Sequence, residues 1–116
     1  MVAPAKVATC STCSGGNKVG YVGNNAGTLE FRGVNAPVPG NYTLTIYYLN
    51  GATAARTATL SVNGGAGISL SLPATGSWTT VGSIQTTVSL NAGSSNTIKL
   101  SNSTAYAPDF DRMTVR

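Results

Sequence analysis

The sequence predicts an all-β domain, built as a sandwich or a barrel of about eight short strands. Two observations lead to this prediction. Short runs of alternating apolar and polar residues recur along the chain, and clusters of Gly, Asn, Ser or Pro separate them at regular spacing. No stretch shows the period of an amphipathic helix. A chain of 116 residues is long enough for one hydrophobic core, so residues 1–116 are expected to form a single domain.

The first half of the chain contains three clear strands. Alternation within residues 1–9 is weak and predicts at most an incomplete first strand. The clear strands are predicted at residues 18–22, 28–34 and 42–49. The last of these is the strongest, because its alternation is regular and it is rich in Tyr, Thr and Ile. Pro37 and Pro39 mark a turn just before it.

The second half of the chain continues the pattern. Strands are predicted at residues 56–62, 68–72, 79–90, 97–100 and 110–115. Asn63-Gly64 lies between the first two of these strands and is a hairpin-turn signal. The alternation predicts that Ile68, Leu70 and Leu72 face the core.

The composition is poor in charge and rich in small polar residues. Charged residues are 9% of the chain, so the surface must consist largely of hydroxyl and amide groups, as in many secreted β-proteins. We therefore expect a secreted, extracellular protein. Seven scattered basic residues give a net charge of +4 without a Lys/Arg run, and no apolar run approaches the length of a membrane helix. These features argue against a nucleic-acid partner and against a membrane partner.

The chain contains no histidine. This removes the commonest general base and metal ligand, and with it most nucleophilic triads. Asp109 and Asp111 remain as candidates for the carboxyl pair of a glycosidase. Such pairs normally come from different strands around a cleft, whereas only one residue separates these two. We therefore do not expect an enzyme.

Asp111 has two other interpretations. Calcium prefers several oxygen ligands, and backbone carbonyls together with Glu30 or amide oxygens are candidates to complete such a set around Asp111. Alternatively, Asp111 caps its loop or forms an ion pair with Arg112.

The two cysteines form the motif Cys10-Ser-Thr-Cys13. A redox site would place this motif at the start of a helix, but turn residues follow it here. A zinc site would need a second pair of ligands, and the chain has no further Cys or His. The pattern favours a local structural disulfide between Cys10 and Cys13.

The segment from Ile98 to Val115 carries the strongest candidate site. It begins and ends as a strand, and the polar loop between contains Asn102, Tyr106 and Asp109. The apolar face of a sugar ring stacks on an aromatic side chain, while its hydroxyls donate hydrogen bonds to a carboxylate. This combination of residues therefore indicates a carbohydrate site.

Two more aromatic residues fit the same hypothesis. Tyr21 and Trp78, like Tyr106, lie at strand ends or in loops, and loops at one end of a sandwich can converge on a site. The alternative is that Trp78 is an anchor packed under a loop. The protein would then be a structural or adhesive β-sandwich spacer without a sugar site.

Five segments of the chain form a recognisable set. They are Cys13-Ser-Gly-Gly-Asn-Lys-Val-Gly-Tyr-Val-Gly-Asn, Val38-Pro-Gly-Asn-Tyr-Thr-Leu-Thr-Ile, Arg56-Thr-Ala-Thr-Leu-Ser-Val-Asn-Gly-Gly, Gly76-Ser-Trp-Thr-Thr and Ala107-Pro-Asp-Phe-Asp-Arg. Together they resemble the carbohydrate-binding modules of family 35, relatives of family 6, over almost the whole chain from Cys10. The resemblance implies a jelly-roll β-sandwich of about eight or nine antiparallel strands without catalytic activity.

The resemblance also implies a partner and a setting. Such modules bind plant polysaccharides containing galactosides, mannans or uronic acids. They are usually appended to an extracellular glycoside hydrolase or esterase, so we expect a monomeric module tethered to a catalytic domain.

By position in the family pattern, several residues take on expected roles. Tyr21 and Trp78 match the aromatic positions that face the sugar, and Tyr106 matches a further aromatic just before Ala-Pro-Asp. Asp109 matches a polar position that hydrogen-bonds the sugar, and Asn102 lies in the same loop. These residues form the predicted carbohydrate site.

Asp111 matches a ligand of a structural calcium ion in the family. Members usually begin with a strand such as Tyr-Glu-Ala-Glu, whose glutamates ligate that ion. This chain instead begins Met1-Val-Ala-Pro-Ala-Lys6. A second departure is Val81, where relatives often carry another Trp. Calcium is thus an expected structural cofactor whose usual glutamate ligands are missing from this sequence.

Overall fold

The structure, a computed structural model, describes residues 6–10, 13, 16–20, 22, 28–65, 67–102 and 106–116. Nine strands lie in this part of the chain. They are β1 (Lys6–Thr9), β2 (Asn17–Gly20), β3 (Leu29–Ala36), β4 (Gly40–Leu49), β5 (Arg56–Val62), β6 (Ile68–Leu72), β7 (Gly82–Leu90), β8 (Gly93–Ser101) and β9 (Asp109–Val115). Among the described residues, there is no helix long and apolar enough to span a membrane.

The strands form two antiparallel sheets. One sheet has five strands in the order β1-β2-β9-β4-β7, and the other has four in the order β3-β8-β5-β6. Every pairing recorded between neighbouring strands is antiparallel. The predicted all-β sandwich is confirmed. Two sheets with separate edges exclude the barrel alternative for the described residues.

The hydrophobic core draws on both sheets. Its largest fully buried apolar side chains include Leu44, Ile46, Leu60, Leu72, Leu90, Ile98, Leu100 and Phe110. Each side chain of this size contributes about 1.5–3 kcal/mol when it is removed from water. In β4 the alternation of the strand places the apolar side chains in the core, because every second residue from Leu44 to Tyr48 is buried.

The outermost residue of β6 departs from the prediction. Leu72 is buried and Leu70 is half-buried, but Ile68 is 47% exposed. β6 is the edge strand of its sheet, so only β5 covers it. Ile68 therefore stays exposed although its cross-strand partner Leu60 is buried. The expectation that Ile68 faces the core was wrong.

The strand predicted to begin at Thr79 begins only at Gly82. The hydroxyl of Ser77 accepts a hydrogen bond from the Thr79 N–H at 3.2 Å and lies 2.9 Å from the Thr80 hydroxyl. Short polar side chains that bind the nearby backbone in this way compete with strand pairing. Residues 77–81 therefore form a separate loop, which we call the Trp78 loop.

The disulfide favoured by the sequence is present. Cys10 and Cys13 are bonded, and both are buried against Leu49 and Val81 in a second, smaller apolar cluster. The Cys10 N–H donates to the carbonyl of Gly16 at 2.8 Å, which closes the connection between β1 and β2. The cluster attaches this connection to the end of β4 and to the Trp78 loop.

Candidate functional site

A cavity of about 440 Å³ opens at one end of the sandwich. We call it the loop-end pocket, and it is lined by Lys18, Gly20, Arg56, Trp78, Tyr106, Ala107 and Asp109. These residues come from β2, from the first residue of β5, from the Trp78 loop, from the segment before β9 and from the first residue of β9. Both sheets thus contribute to one site. The sequence predicted that Trp78, Tyr106 and Asp109 share a site, and the structure brings these three together.

Asp109 is held by an ion pair with Lys18. The Lys18 Nζ lies 2.7 Å from Asp109 Oδ2, and the two side chains are only 11% and 17% exposed. β2 and β9 are neighbours, with Val19 opposite Phe110, so the residues flanking that pair meet beside the core. The buried Phe110 fixes the alternation of β9 and turns Asp109 away from the core.

Lys18 also reaches the Trp78 loop. Its ammonium donates a hydrogen bond to the Trp78 carbonyl oxygen at 2.8 Å and lies 5.7 Å from the centroid of the indole ring. Arg56 approaches the same ring, with its Cζ 4.9 Å from the centroid. Both cations are within the range of cation–π attraction. Two positive charges from different sheets therefore lie close to the indole.

Gly51 makes room for the indole. A Cβ atom at this position would lie 2.4 Å from Trp78 Cδ1 and 2.6 Å from Cγ and Nε1. Only a residue without a side chain permits this contact. Trp78 nevertheless remains 36% exposed, and Tyr106 is 38% exposed. The ring is thus supported from the protein side and still accessible to a ligand.

Asn50, which precedes Gly51, organises the loops around Trp78. This side chain is fully buried; its amide nitrogen donates to the carbonyls of Leu72 and Ala54, and its Oδ1 accepts from the Ala52 N–H. Its backbone carbonyl also accepts from the Thr75 N–H at 2.9 Å. One residue therefore links residues 50–55 to the segment that leads into the Trp78 loop.

We predict that Gly51→Ala displaces the indole. The added methyl must move a ring and not a flexible chain end, and overpacking of this kind typically costs about 1–3 kcal/mol. Because Trp78 is the only tryptophan, its fluorescence emission reports this movement directly. Thr53→Ser, at an exposed position of the same loop, is the control and should leave the spectrum unchanged. An unchanged spectrum in Gly51→Ala would show that the indole of Trp78 tolerates a side chain at position 51.

The remaining predicted sugar contacts have different outcomes. Tyr21 lies outside the described residues, so its role stays a prediction. Asn102 is only 6% exposed and does not line the loop-end pocket; its amide nitrogen donates to the Thr57 carbonyl at 2.9 Å and to the Thr57 hydroxyl at 3.0 Å. Asn102 thus fastens the start of β5, beside Arg56. A direct contact between Asn102 and the sugar also stays a prediction.

Asp111 lies in a different place from Asp109. It lines a second, more open cavity of about 490 Å³ on the outer face of the five-stranded sheet, together with Tyr47, Arg112 and others. We call this the sheet-face pocket. The Arg112 guanidinium covers Tyr47 there, with its Cζ 3.9 Å from the ring centroid. The two carboxylates therefore line different pockets.

Calcium was the predicted ion at Asp111, with backbone carbonyls and Glu30 or amide oxygens as its further ligands. Among the described residues, no three Asp, Glu, His or Cys side chains lie close enough to hold a metal ion. Glu30, the other predicted ligand, lies on β3 in the opposite sheet and forms an ion pair with Arg32. The predicted calcium ion therefore stays a prediction.

The sequence did not identify four residues of the site: Lys18, Asn50, Gly51 and Arg56. Lys18 and Arg56 stand at strand positions that resemble ordinary surface charges. The role of each depends on a contact with Trp78, which lies 60 positions from Lys18 and in a different segment from Arg56, and no local pattern contains such a contact. Asn50-Gly51 at the end of the strongest strand was a usable signal, because such a pair marks a tight turn.

Comparisons with known proteins agree with this architecture. A family model described as CBM13-like, the CBM13 domain of alpha-galactosidase, matches residues 28–115. A family 35 carbohydrate-binding module from Clostridium thermocellum is 31% identical with a TM-score of 0.96, over 99% of this chain and 89% of that one.

Two further similar structures were solved with sugars bound. The exo-β-1,3-galactanase from Phanerochaete chrysosporium with β-1,3-galactotriose is 32% identical with a TM-score of 0.91, over 97% of this chain and 26% of that chain. A module named Xyl-CBM35, in complex with a disaccharide containing glucuronic acid, is 30% identical with a TM-score of 0.84 over 99% and 86% of the two chains.

The curated relatives are much longer than this chain. Endo-1,4-beta-xylanase B and alpha-L-arabinofuranosidase C, both from Cellvibrio japonicus, are 38% identical over 109 residues. The match covers 85% of this chain but only 18% and 17% of those proteins. The similarity is therefore to one part of each enzyme.

Proposed function

The chain belongs to family 35 of the carbohydrate-binding modules, which bind sugars without catalysing their cleavage, and we propose that its loop-end pocket binds an acidic sugar. The expected ligand is a uronic acid unit of a plant polysaccharide. The observation that carries this proposal is the arrangement of Lys18, Arg56 and Asp109 around Trp78.

The charge of the pocket favours an anion. Asp109 by itself would repel a uronate, but the Lys18 ammonium at 2.7 Å neutralises it. Arg56 then remains as a second cation, so two positive groups and one negative group leave a net charge of +1 among the lining residues. A guanidinium presents a planar fork of donors that matches a carboxylate.

The aromatic side chains supply the stacking surface. Trp78 and Tyr106 each expose more than a third of their surface beside the charged groups. An amphipathic ring of this kind binds the C–H face of a sugar, while its neighbours bind the polar substituents. Stacking with a few charge-assisted hydrogen bonds on a small ligand suggests micromolar to millimolar affinity, roughly −4 to −8 kcal/mol.

The relatives support the same chemistry and suggest a setting. Xyl-CBM35 binds a disaccharide containing glucuronic acid, and the curated relatives are a xylanase and an arabinofuranosidase. We propose that this module likewise is secreted, acts as a monomer and directs an attached glycoside hydrolase or esterase to its polysaccharide. We keep calcium as a proposed structural ion, because the resemblance to the family implies it.

Titration calorimetry with two matched sugars tests this function. Methyl glucuronide and methyl glucoside differ only by the carboxylate, and we expect clear heat with the first and much weaker binding of the second. Galactose and mannan are included in the same series. Equal affinity for the glucuronide and the glucoside would contradict an acidic ligand. An absence of heat with every sugar would favour a structural spacer.

Arg56→Met should remove most of the preference for the charged sugar. A hydrogen bond to a charged group contributes about 1.5–3 kcal/mol, so we expect glucuronide affinity to fall by roughly 10- to 100-fold. Glucoside affinity should change little. The control is Arg32→Met, at an exposed arginine on β3 that does not line the pocket. An unchanged sugar preference in Arg56→Met would remove Arg56 from the proposed site.

A further inference from the structure

Lys18 occupies an unusual position for a lysine in a β-sandwich. Its side chain is 11% exposed, and its ammonium lies between Asp109 Oδ2 at 2.7 Å and the Trp78 carbonyl oxygen at 2.8 Å. A carboxylate oxygen and a backbone carbonyl oxygen are the donor types that bind a hard divalent cation in proteins. Here they converge on a side-chain cation supplied by the chain itself.

We propose that Lys18 is a built-in cation of the loop-end pocket, which takes the place of a bound divalent metal and makes sugar binding independent of calcium. The inference rests on the proposed function, because it concerns the same pocket. Lys18 thereby has a defined role in sugar recognition, and that role is separate from the calcium site expected near Asp111.

The position of the ammonium explains two properties of the pocket at once. It neutralises Asp109, so a sugar carboxylate can approach without repulsion. It also joins the Trp78 loop, which lies 60 positions from Lys18 in the chain, to β2 and β9. A calcium ion bridging the same oxygens would produce the same two effects.

The same geometry disfavours a metal in this place. Asp109 Oδ2 and the Trp78 carbonyl oxygen already accept from the ammonium, and Arg56 brings a second positive charge to within 4.9 Å of the indole centroid. A divalent cation would have to displace one cation and approach another. Like charges this close repel strongly when water is partly excluded.

A purely structural ion pair is the competing explanation. Buried ion pairs are weak evidence for stability, because the cost of desolvation offsets much of the attraction. A structural pair would alter the unfolding temperature in a Lys18 variant but would give that variant no new response to calcium. The effect of calcium on sugar binding by a Lys18 variant therefore separates the two explanations.

Calorimetry with methyl glucuronide in excess EDTA and in calcium chloride is the first test. The wild-type protein should bind equally well in both buffers. Binding only in calcium would overturn the role of Lys18 while leaving the proposed function intact. Absence of binding in both buffers would overturn the proposed function, and this inference with it. The wild-type experiment needs no variant to fold.

Lys18→Met is the second test. In EDTA we expect glucuronide affinity to fall by about tenfold or more, because Asp109 is left unneutralised. Added calcium should restore part of that loss, since the two oxygens become free to hold it. Lys18→Arg, which keeps the charge, should retain more affinity in EDTA than Lys18→Met. Lys99→Met, at an exposed lysine on β8, is the matched control and should behave as wild type.

Two results of the second test would overturn the proposal. One is wild-type affinity in Lys18→Met, which would show that the ammonium is not needed. The other is a loss of affinity in Lys18→Met that calcium leaves unchanged and that Lys18→Arg shares. That outcome would assign Lys18 to structural support alone.

Discussion

Trp78→Ala is expected to abolish measurable sugar binding while leaving the sandwich folded. The indole supplies the stacking surface, and it is the group that both Lys18 and Arg56 approach. Residues of this kind at the centre of a binding site contribute about 2–4 kcal/mol, so the affinity should fall by roughly 30- to 1,000-fold, and a site of submillimolar or weaker affinity would no longer give measurable heat. The fold should survive, because Trp78 lies in a loop and belongs to neither apolar cluster.

Titration calorimetry and circular dichroism together check this result. The control is Tyr47→Ala, which removes an aromatic ring from the sheet-face pocket and should leave sugar binding unchanged. If Trp78→Ala unfolds the domain, the ring was a packed anchor and the stacking hypothesis fails. If the variant folds and still binds the glucuronide, the sugar lies elsewhere.

Asn50→Ala should produce the largest loss of stability among the changes considered. The side chain is fully buried and bonds the carbonyls of Leu72 and Ala54 and the N–H of Ala52. Each buried group left without its partner costs about 1–3 kcal/mol. The carbonyl of Ala54 can bond to water instead, so we expect the free energy of unfolding to fall by about 2–4 kcal/mol in total. For a domain of this size the unfolding temperature should fall by roughly 10–25 °C.

Thermal unfolding followed by circular dichroism measures this loss. Asn41→Ala, at an exposed asparagine on β4, is the control and should stay within about 0.5 kcal/mol of wild type. The Asn50→Ala variant should also weaken sugar binding, because the loops beside Trp78 lose their common support. A stability change below about 1 kcal/mol would show that these loops hold their shape without Asn50.

The sequence contained most of the fold because alternation and turn chemistry are local signals. The strand predicted at residues 42–49 is observed as Gly40–Leu49. The predictions that failed depended on information beyond the strand itself. Ile68 is exposed because β6 lies at a sheet edge, and the start of β7 is delayed by side-chain hydrogen bonds of Ser77.

The candidate site was only partly predictable for a related reason. Trp78, Tyr106 and Asp109 were identified because aromatic and acidic residues stand out in a chain with so few of them. Lys18 and Arg56 were missed because their importance comes from the pairing of β2 with β9 and from the approach of β5 to the Trp78 loop. Such contacts appear only when the two sheets are assembled.

We expect an acidic sugar to bind in the loop-end pocket against Trp78. Because the chain has one tryptophan, its nuclear magnetic resonance spectrum contains a single indole N–H signal. Titration with methyl glucuronide should shift that signal together with the backbone amides of Gly20 and Asp109. An unmoved indole signal, with shifts confined to residues around Tyr47 and Arg112, would place the ligand in the sheet-face pocket and contradict the account.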